Sequence, residues 1–210
     1  MMIGPDIVFV STPKAGTTTM YQYLRKHWQA ERYGAFHETR VPADVRDRPV
    51  VTTCRDPYTR AVSMWWHTCH RGKRGGLAQY DNMELATFLR LLPALQLKWC
   101  IEQVEWHDRF RPTHVLRLEH LQEDFDALPF VLFGAPPIVP RNRSEYLGDT
   151  HDIDYESWTD VLPPPLAKRP RRDYMTDEAA ALVREHFAED FERYGYDTDR
   201  EIEYGQTAVC

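Results

Sequence analysis

The 210-residue chain is short of cysteine, of long apolar runs and of repeats, and each shortage closes off a class of protein. Its four cysteines, Cys54, Cys69, Cys100 and Cys210, form no C-x-x-C pair and no dense framework, which predicts free thiols rather than a disulfide scaffold. No apolar stretch approaches the ~18–20 residues that cross a bilayer, so no membrane span is expected. The opening Met1-Met2-Ile3-Gly4-Pro5-Asp6 lacks the charged and apolar regions of a secretion signal, which predicts a soluble, cytoplasmic protein. His67, Cys69 and His70 lie close together, but in a helical stretch without a second ligand pair at useful spacing, so no metal site is expected. The only low-complexity tract is Pro163-Pro164-Pro165.

What is present is a chain long enough for one domain with a substantial core, 42% hydrophobic and 28% charged. The formal charge of −6 is unevenly spread: residues 1–74 hold 12 Lys/Arg against 6 Asp/Glu, net +6, and the rest hold 14 against 26, net −12. A basic first third on an acidic chain argues against nucleic-acid binding, which wants a broad positive surface, and suits a local site for a small anion.

Apolar runs and helical periodicity alternate. The run within Asp6–Ser11, the β-branched Val50–Cys54 and His114–Leu118 read as strands. Gly16 to about Trp28, Arg60–Arg71, Met83–Leu92 and Gln96–Phe110 read as helices, the last two separated by Pro93. Thr176–Tyr194 reads as one helix, with Thr176 as N-cap, Asp177 and Glu178 in its first turn, and Gly195 as its stop. The alternation predicts an α/β fold: a parallel β-sheet flanked by helices on both faces, in a single domain over residues 1–210. A Pro-rich stretch at about 133–172 reads as irregular, either a substrate-facing segment or a surface excursion.

The chemistry concentrates at Pro13-Lys14-Ala15-Gly16-Thr17-Thr18-Thr19, between the first strand and the first helix. A helix start offers unpaired backbone N–H groups, Gly16 allows close backbone approach, the threonines add hydroxyl donors and Lys14 adds charge. That combination suits a phosphate. It departs from the Walker loop G-x-x-x-x-G-K-[ST]: the lysine precedes the glycine by two residues, the first glycine is missing, and no strand ends in an evident magnesium-binding acid. A second stretch, Cys54-Arg55-Asp56-Pro57 followed by Ala61-Val62-Ser63, delivers Arg55 at a strand end and Ser63 on the next helix, a cation and a donor suited to another phosphate.

Together these stretches resemble the two cofactor signatures of the sulfotransferases that use 3′-phosphoadenosine 5′-phosphosulfate (PAPS), in the style of the carbohydrate and glycan enzymes. Val115–Asp124 and the segment from Met175 to Tyr196 are similar to that family's acidic strand-turn and closing helix. The resemblance spans about residues 7–196, and residues 75–110 and 130–170 match little of it. It implies a P-loop-like sheet, with Lys14, Ala15, Gly16, Thr17, Thr18 and Thr19 on the 5′-phosphosulfate and Arg55 and Ser63 on the 3′-phosphate. It also implies sulfuryl transfer to an acceptor hydroxyl or amine, on a glycan in the branches it is closest to, leaving adenosine 3′,5′-bisphosphate and needing no metal.

Sulfuryl transfer builds charge on the leaving oxygen, so catalysis is mostly positioning and electrostatics. A sulfuryl group carries less charge than a terminal phosphoryl group, and Lys14 takes the place of a magnesium bridge. The acceptor hydroxyl needs a base. His37 and Glu38 lie in the interval where glycan-modifying members of this family carry theirs; on an extended segment their side chains face opposite ways, so one should point into the site. His37 is preferred because an unperturbed imidazole titrates near neutrality. The other histidines, His107 among them, read as packed or surface residues, with His67 and His70 held in reserve. The basic run Lys168–Arg172, with Arg141 and Arg143, reads equally as a cofactor contact or an exposed linker. Two further readings remain: a P-loop kinase or hydrolase with a degenerate loop, and a non-catalytic nucleotide-binding protein on the same fold.

Overall fold

A computed structural model describes residues 1–35, 37–69, 83–131, 135–139 and 174–199. The described residues fall into two compact units, one from 1–56 with 101–139 and one from 57–100 with 174–199. The expectations for Phe36, His70, Arg141, Arg143, Cys210, the run 168–172 and most of the Pro-rich stretch lie outside the described residues.

The first unit is built on five short strands: β1 (Met2–Ile3), β2 (Val8–Phe9), β3 (Glu31–Arg32), β4 (Val50–Cys54) and β5 (His114–Arg117), in the order β3-β1-β2-β4-β5. The three strands read from the sequence are the parallel part, β2 beside β4 and β4 beside β5. The sheet as a whole is mixed rather than parallel. Gly4-Pro5-Asp6 turns the chain so that β1 pairs antiparallel with β2, and β3 pairs antiparallel with β1. Two-residue strands are too short to show a period, and β3 exposes both side chains, so no apolar pattern marked them.

Strand alternation sorts the core onto two faces. Ile7, Phe9, Val51 and Leu116 pack with Met20, Tyr23 and Leu24 of α1 (Thr17–His27) and with Leu121 and Phe125 of α5 (Leu121–Asp126). Val8, Val10 and Val50 pack on the other side with Val45, Phe110 and Trp106, the last on α4 (Gln103–Asp108). Helices therefore cover both faces of this sheet, as expected. On α1 it is Trp28, just past the helix, and not His27, that packs onto the core. A small part of the Pro-rich stretch is anchored here: Tyr23 donates to Pro136 O at 2.8 Å and Ile138 is buried.

The second unit is helical: α2 (Pro57–Cys69), α3 (Leu85–Leu95), α6 (Asp177–His186) and α7 (Ala188–Tyr194). Its core joins Tyr58, Met64 and Trp65 of α2 to Phe88 and Leu89 of α3, Val183 of α6 and Phe191 of α7. Several boundaries differ from expectation, and α2 begins at Pro57 rather than Arg60. Pro93 lies inside α3 rather than ending a helix before it, because one lost backbone bond in the last turn is outweighed by burial of Leu85, Phe88, Leu89 and Leu92. The chain then leaves the helix through Gln96 in the left-handed region, and the next helix begins only at Gln103. The long terminal helix is two helices, broken at Phe187 (φ −128°, ψ 32°), whose ring is buried in the core. Its ends are as read: Thr176 accepts a hydrogen bond from Ala179 N at 3.2 Å, and Gly195 closes α7 at φ 67°. Among the described residues no helix is long and apolar enough to cross a membrane.

Candidate functional site

The loop from Ser11 to Gly16 leaves β2 and turns into α1 through two left-handed positions, Lys14 at φ 65° and Gly16 at φ 81°. Ala15 N donates to Thr12 O at 3.3 Å, and Thr17 Oγ1 donates to the same oxygen at 3.2 Å. The loop is clamped from β4 as well, where Thr53 Oγ1 donates to Ala15 O at 2.5 Å. Gly16 is required by its φ and by the core: a Cβ there would fall 2.5 Å from Leu118 Cδ1. Packing therefore explains this glycine more directly than ligand approach does.

The start of α1 has the electrostatics of an anion site. It has no side-chain cap bond and no acidic residue in its first turn, so its backbone N–H groups and the positive end of its dipole are not answered by a carboxylate of the helix. Of the three threonines, Thr17 and Thr19 are buried and Thr18 is half-buried. Lys14 is half-buried beside them.

Arg55 follows β4 directly. Its guanidinium donates to the carbonyl oxygen of Lys14 at 3.3 Å, which brings the second signature up to the first. Its backbone is fixed on both sides: Arg55 N donates to Gln103 Oε1 at 2.8 Å, and Gln103 Nε2 donates to Arg55 O at 2.9 Å. The next residue, Asp56, donates its N–H to Glu119 Oε1 at 2.9 Å. Ser63 lies half-buried on α2, in the helical unit.

His37 and Glu38 meet different neighbours. His37 Nδ1 lies 3.0 Å from Ser11 Oγ and 3.3 Å from Ser11 O, and its ring meets Trp106 edge-to-face at 6.0 Å. Burial pushes the His37 pKa below its ordinary 6.5; the hydrogen bond to the Ser11 carbonyl opposes this, and the positive charges of the terminal amine and Lys14 add to it. The imidazole is therefore neutral at neutral pH. The Glu38 carboxylate instead accepts from Arg40 N at 2.9 Å and packs against Gly34.

Several residues that build the site carried no sequence signal that singled them out. Thr12 Oγ1 lies 3.0 Å from Thr52 Oγ1 and 2.7 Å from His107 Nε2, and Thr52 Oγ1 donates to Val10 O at 2.7 Å. Trp106 Nε1 donates to Ser11 O at 3.2 Å. His107 is thus a packed histidine, as read, but one bonded to the residue that opens the loop. The available clue was polar residues at buried positions: Thr52 and Thr53 inside a strand, Gln103 and His107 on an otherwise apolar helix face. Among the described residues no group of three or more His, Cys, Asp or Glu is placed to hold a metal ion.

Comparison with family models, with curated proteins and with solved structures finds no match.

Proposed function

We propose that this protein is a PAPS-dependent sulfotransferase acting on an acceptor hydroxyl or amine, with a carbohydrate as the first acceptor class to test. The reading is carried by the contact between the Arg55 guanidinium and the Lys14 carbonyl, which sets a second cation beside a helix start that lacks any acidic residue. The donor set of the first unit suits a doubly phosphorylated ligand: Lys14, the first N–H groups of α1 and the Thr18 hydroxyl for the 5′ end, Arg55 for the 3′-phosphate.

When bound, PAPS supplies the sulfuryl group, and adenosine 3′,5′-bisphosphate remains after transfer. Lys14 holds its ammonium charge for the oxygen on which negative charge builds. A neutral His37 whose Nδ1–H donates to the Ser11 carbonyl keeps its lone pair on Nε2, and there it takes the proton given up by the acceptor. Glu38, whose carboxylate accepts from Arg40 N–H, is left out of this step.

The test is transfer of labelled sulfate from PAPS to a panel of hydroxylated acceptors in the presence of a chelator, alongside binding of ATP with magnesium. Sulfated product under chelation supports the proposal. Binding of the bisphosphate with no transfer to any acceptor points to a non-catalytic nucleotide-binding protein, and magnesium-dependent ATP binding in its place points to a kinase or hydrolase.

A further inference from the structure

The last pair in the β4–β5 ladder is Cys54 with Arg117, so the peptide groups of Arg55 lie just beyond it. A fully buried side chain carries the pattern on: Gln103 accepts from Arg55 N–H and donates to Arg55 C=O, as a neighbouring strand would. Two bonds of opposite sense on one residue fix the orientation of its backbone, and with it the direction in which its side chain leaves.

The same helix reaches the other half of the site. Gln103, Trp106 and His107 stand at i, i+3 and i+4, one face of α4. Trp106 holds the carbonyl of Ser11 and His107 meets the hydroxyl of Thr12, the two residues that open the anion loop. One short helix therefore grips the loop with one end of its face and the Arg55 backbone with the other. All three side chains are buried.

We propose that Gln103 is a positioning residue for recognition of the ligand's 3′-phosphate, with α4 as the bracket that sets Arg55 against the anion loop. This rests on the reading of Arg55 as the 3′-phosphate clamp. Gln103 touches Arg55 and acts through it. Its removal should therefore cost the nucleotide that carries a 3′-phosphate and spare the one that does not.

The experiment is calorimetric titration of the full chain with adenosine 3′,5′-bisphosphate and with adenosine 5′-monophosphate, for wild type, Gln103→Met and Arg55→Ala. Wild type should prefer the bisphosphate by about ten- to hundred-fold, the value of hydrogen bonds to a charged group. Gln103→Met should lose most of that preference while its affinity for the monophosphate stays within about two-fold of wild type. Should Gln103→Met fail to fold, Gln103→Glu keeps the acceptor for Arg55 N–H, sets a second oxygen against Arg55 C=O, and should show the same fall in ratio. An unchanged ratio in a folded Gln103 variant, with Arg55→Ala losing it, overturns the bracket alone. An equal loss for both nucleotides in the Gln103 variants also overturns it, since a merely structural role would give that. A wild-type chain without preference overturns the reading of Arg55 and this inference with it.

Discussion

The guanidinium of Arg55 and the carbonyl oxygen of Lys14, 41 residues apart in the chain, are joined by a hydrogen bond at 3.3 Å. The partner on the loop is a backbone oxygen, in a residue held at φ 65°, where a side chain is strained. The loop geometry and the lysine charge are therefore separable, and the consequences of each can be tested apart.

Lys14→Gly removes the charge and relieves the backbone at once. Glycine takes a left-handed φ without the Cβ penalty of ~1–2 kcal/mol, partly offset by its greater unfolded-state entropy. The variant should be as stable as wild type or about 0.5–1 kcal/mol more stable in urea titration. Its sulfuryl-transfer rate should fall by about 10²–10³-fold, the scale of losing one donor to a developing charge. Full turnover in this variant would remove Lys14 from the mechanism.

Gly16→Ala should be destabilising by about 2–3 kcal/mol, from left-handed strain together with overpacking against Leu118 Cδ1 at 2.5 Å. Combining it with Leu118→Ala relieves the overlap and leaves the strain. A double-mutant cycle from chemical denaturation should therefore show a favourable coupling, and strict additivity would contradict this account of the glycine.

His37 gives the pH dependence its sign. Burial foremost holds its folded pKa below 6.5, so kcat/KM for transfer should be level through neutrality and fall only on the acid side of 6.5. The same shift acts on stability. The unfolded chain binds the proton more readily, so the His37 contribution is intact above 6.5 and is lost as pH falls through the lowered folded value. His37→Ala should cut kcat by about 10²–10⁴-fold and abolish the acid limb while leaving nucleotide affinity in place. An unchanged pH–rate profile in the variant would show that the base lies elsewhere.

In the helical unit, Arg60 and Asp190 form an ion pair at 3.5 Å with both side chains almost wholly buried, and the guanidinium lies 5.7 Å from the Phe187 ring centre. Breaking such a pair from one side strands the other charge. Asp190→Ala should cost about 3–5 kcal/mol in thermal or chemical unfolding, whereas replacing both partners with apolar residues should cost much less. A loss below about 1 kcal/mol for the single change would mean that the charge is already solvated.

What could be read from the chain was what local chemistry writes into short stretches. The three parallel strands announced themselves as apolar runs, and Thr176 and Gly195 as helix ends, because burial and capping depend on residues next to one another. His37 and Glu38 do meet different partners, but not through the expected extended chain: the backbone turns there, Glu38 N donating to Ala35 O at 3.2 Å. The antiparallel edge did not show, since β1 and β3 have two residues each and are held by a turn and by pairing, not by pattern. Pro93 and Phe187 misled for a related reason. A proline inside a helix and a break within a periodic stretch are decided by the helices packed around them. The α4 contacts lay furthest from view: they join residues 48 and 95 positions apart, and only burial distinguishes Gln103 from any surface glutamine.

The central claim is that the anion loop and Arg55 together hold the two phosphate ends of one adenosine nucleotide. Titration of adenosine 3′,5′-bisphosphate into the folded protein, with chelator and no magnesium, tests it most directly. The account predicts saturable binding that weakens as salt is raised and drops by about ten-fold or more in Arg55→Ala. No binding heat at millimolar nucleotide, from protein whose folding is verified by its cooperative melt, would contradict it.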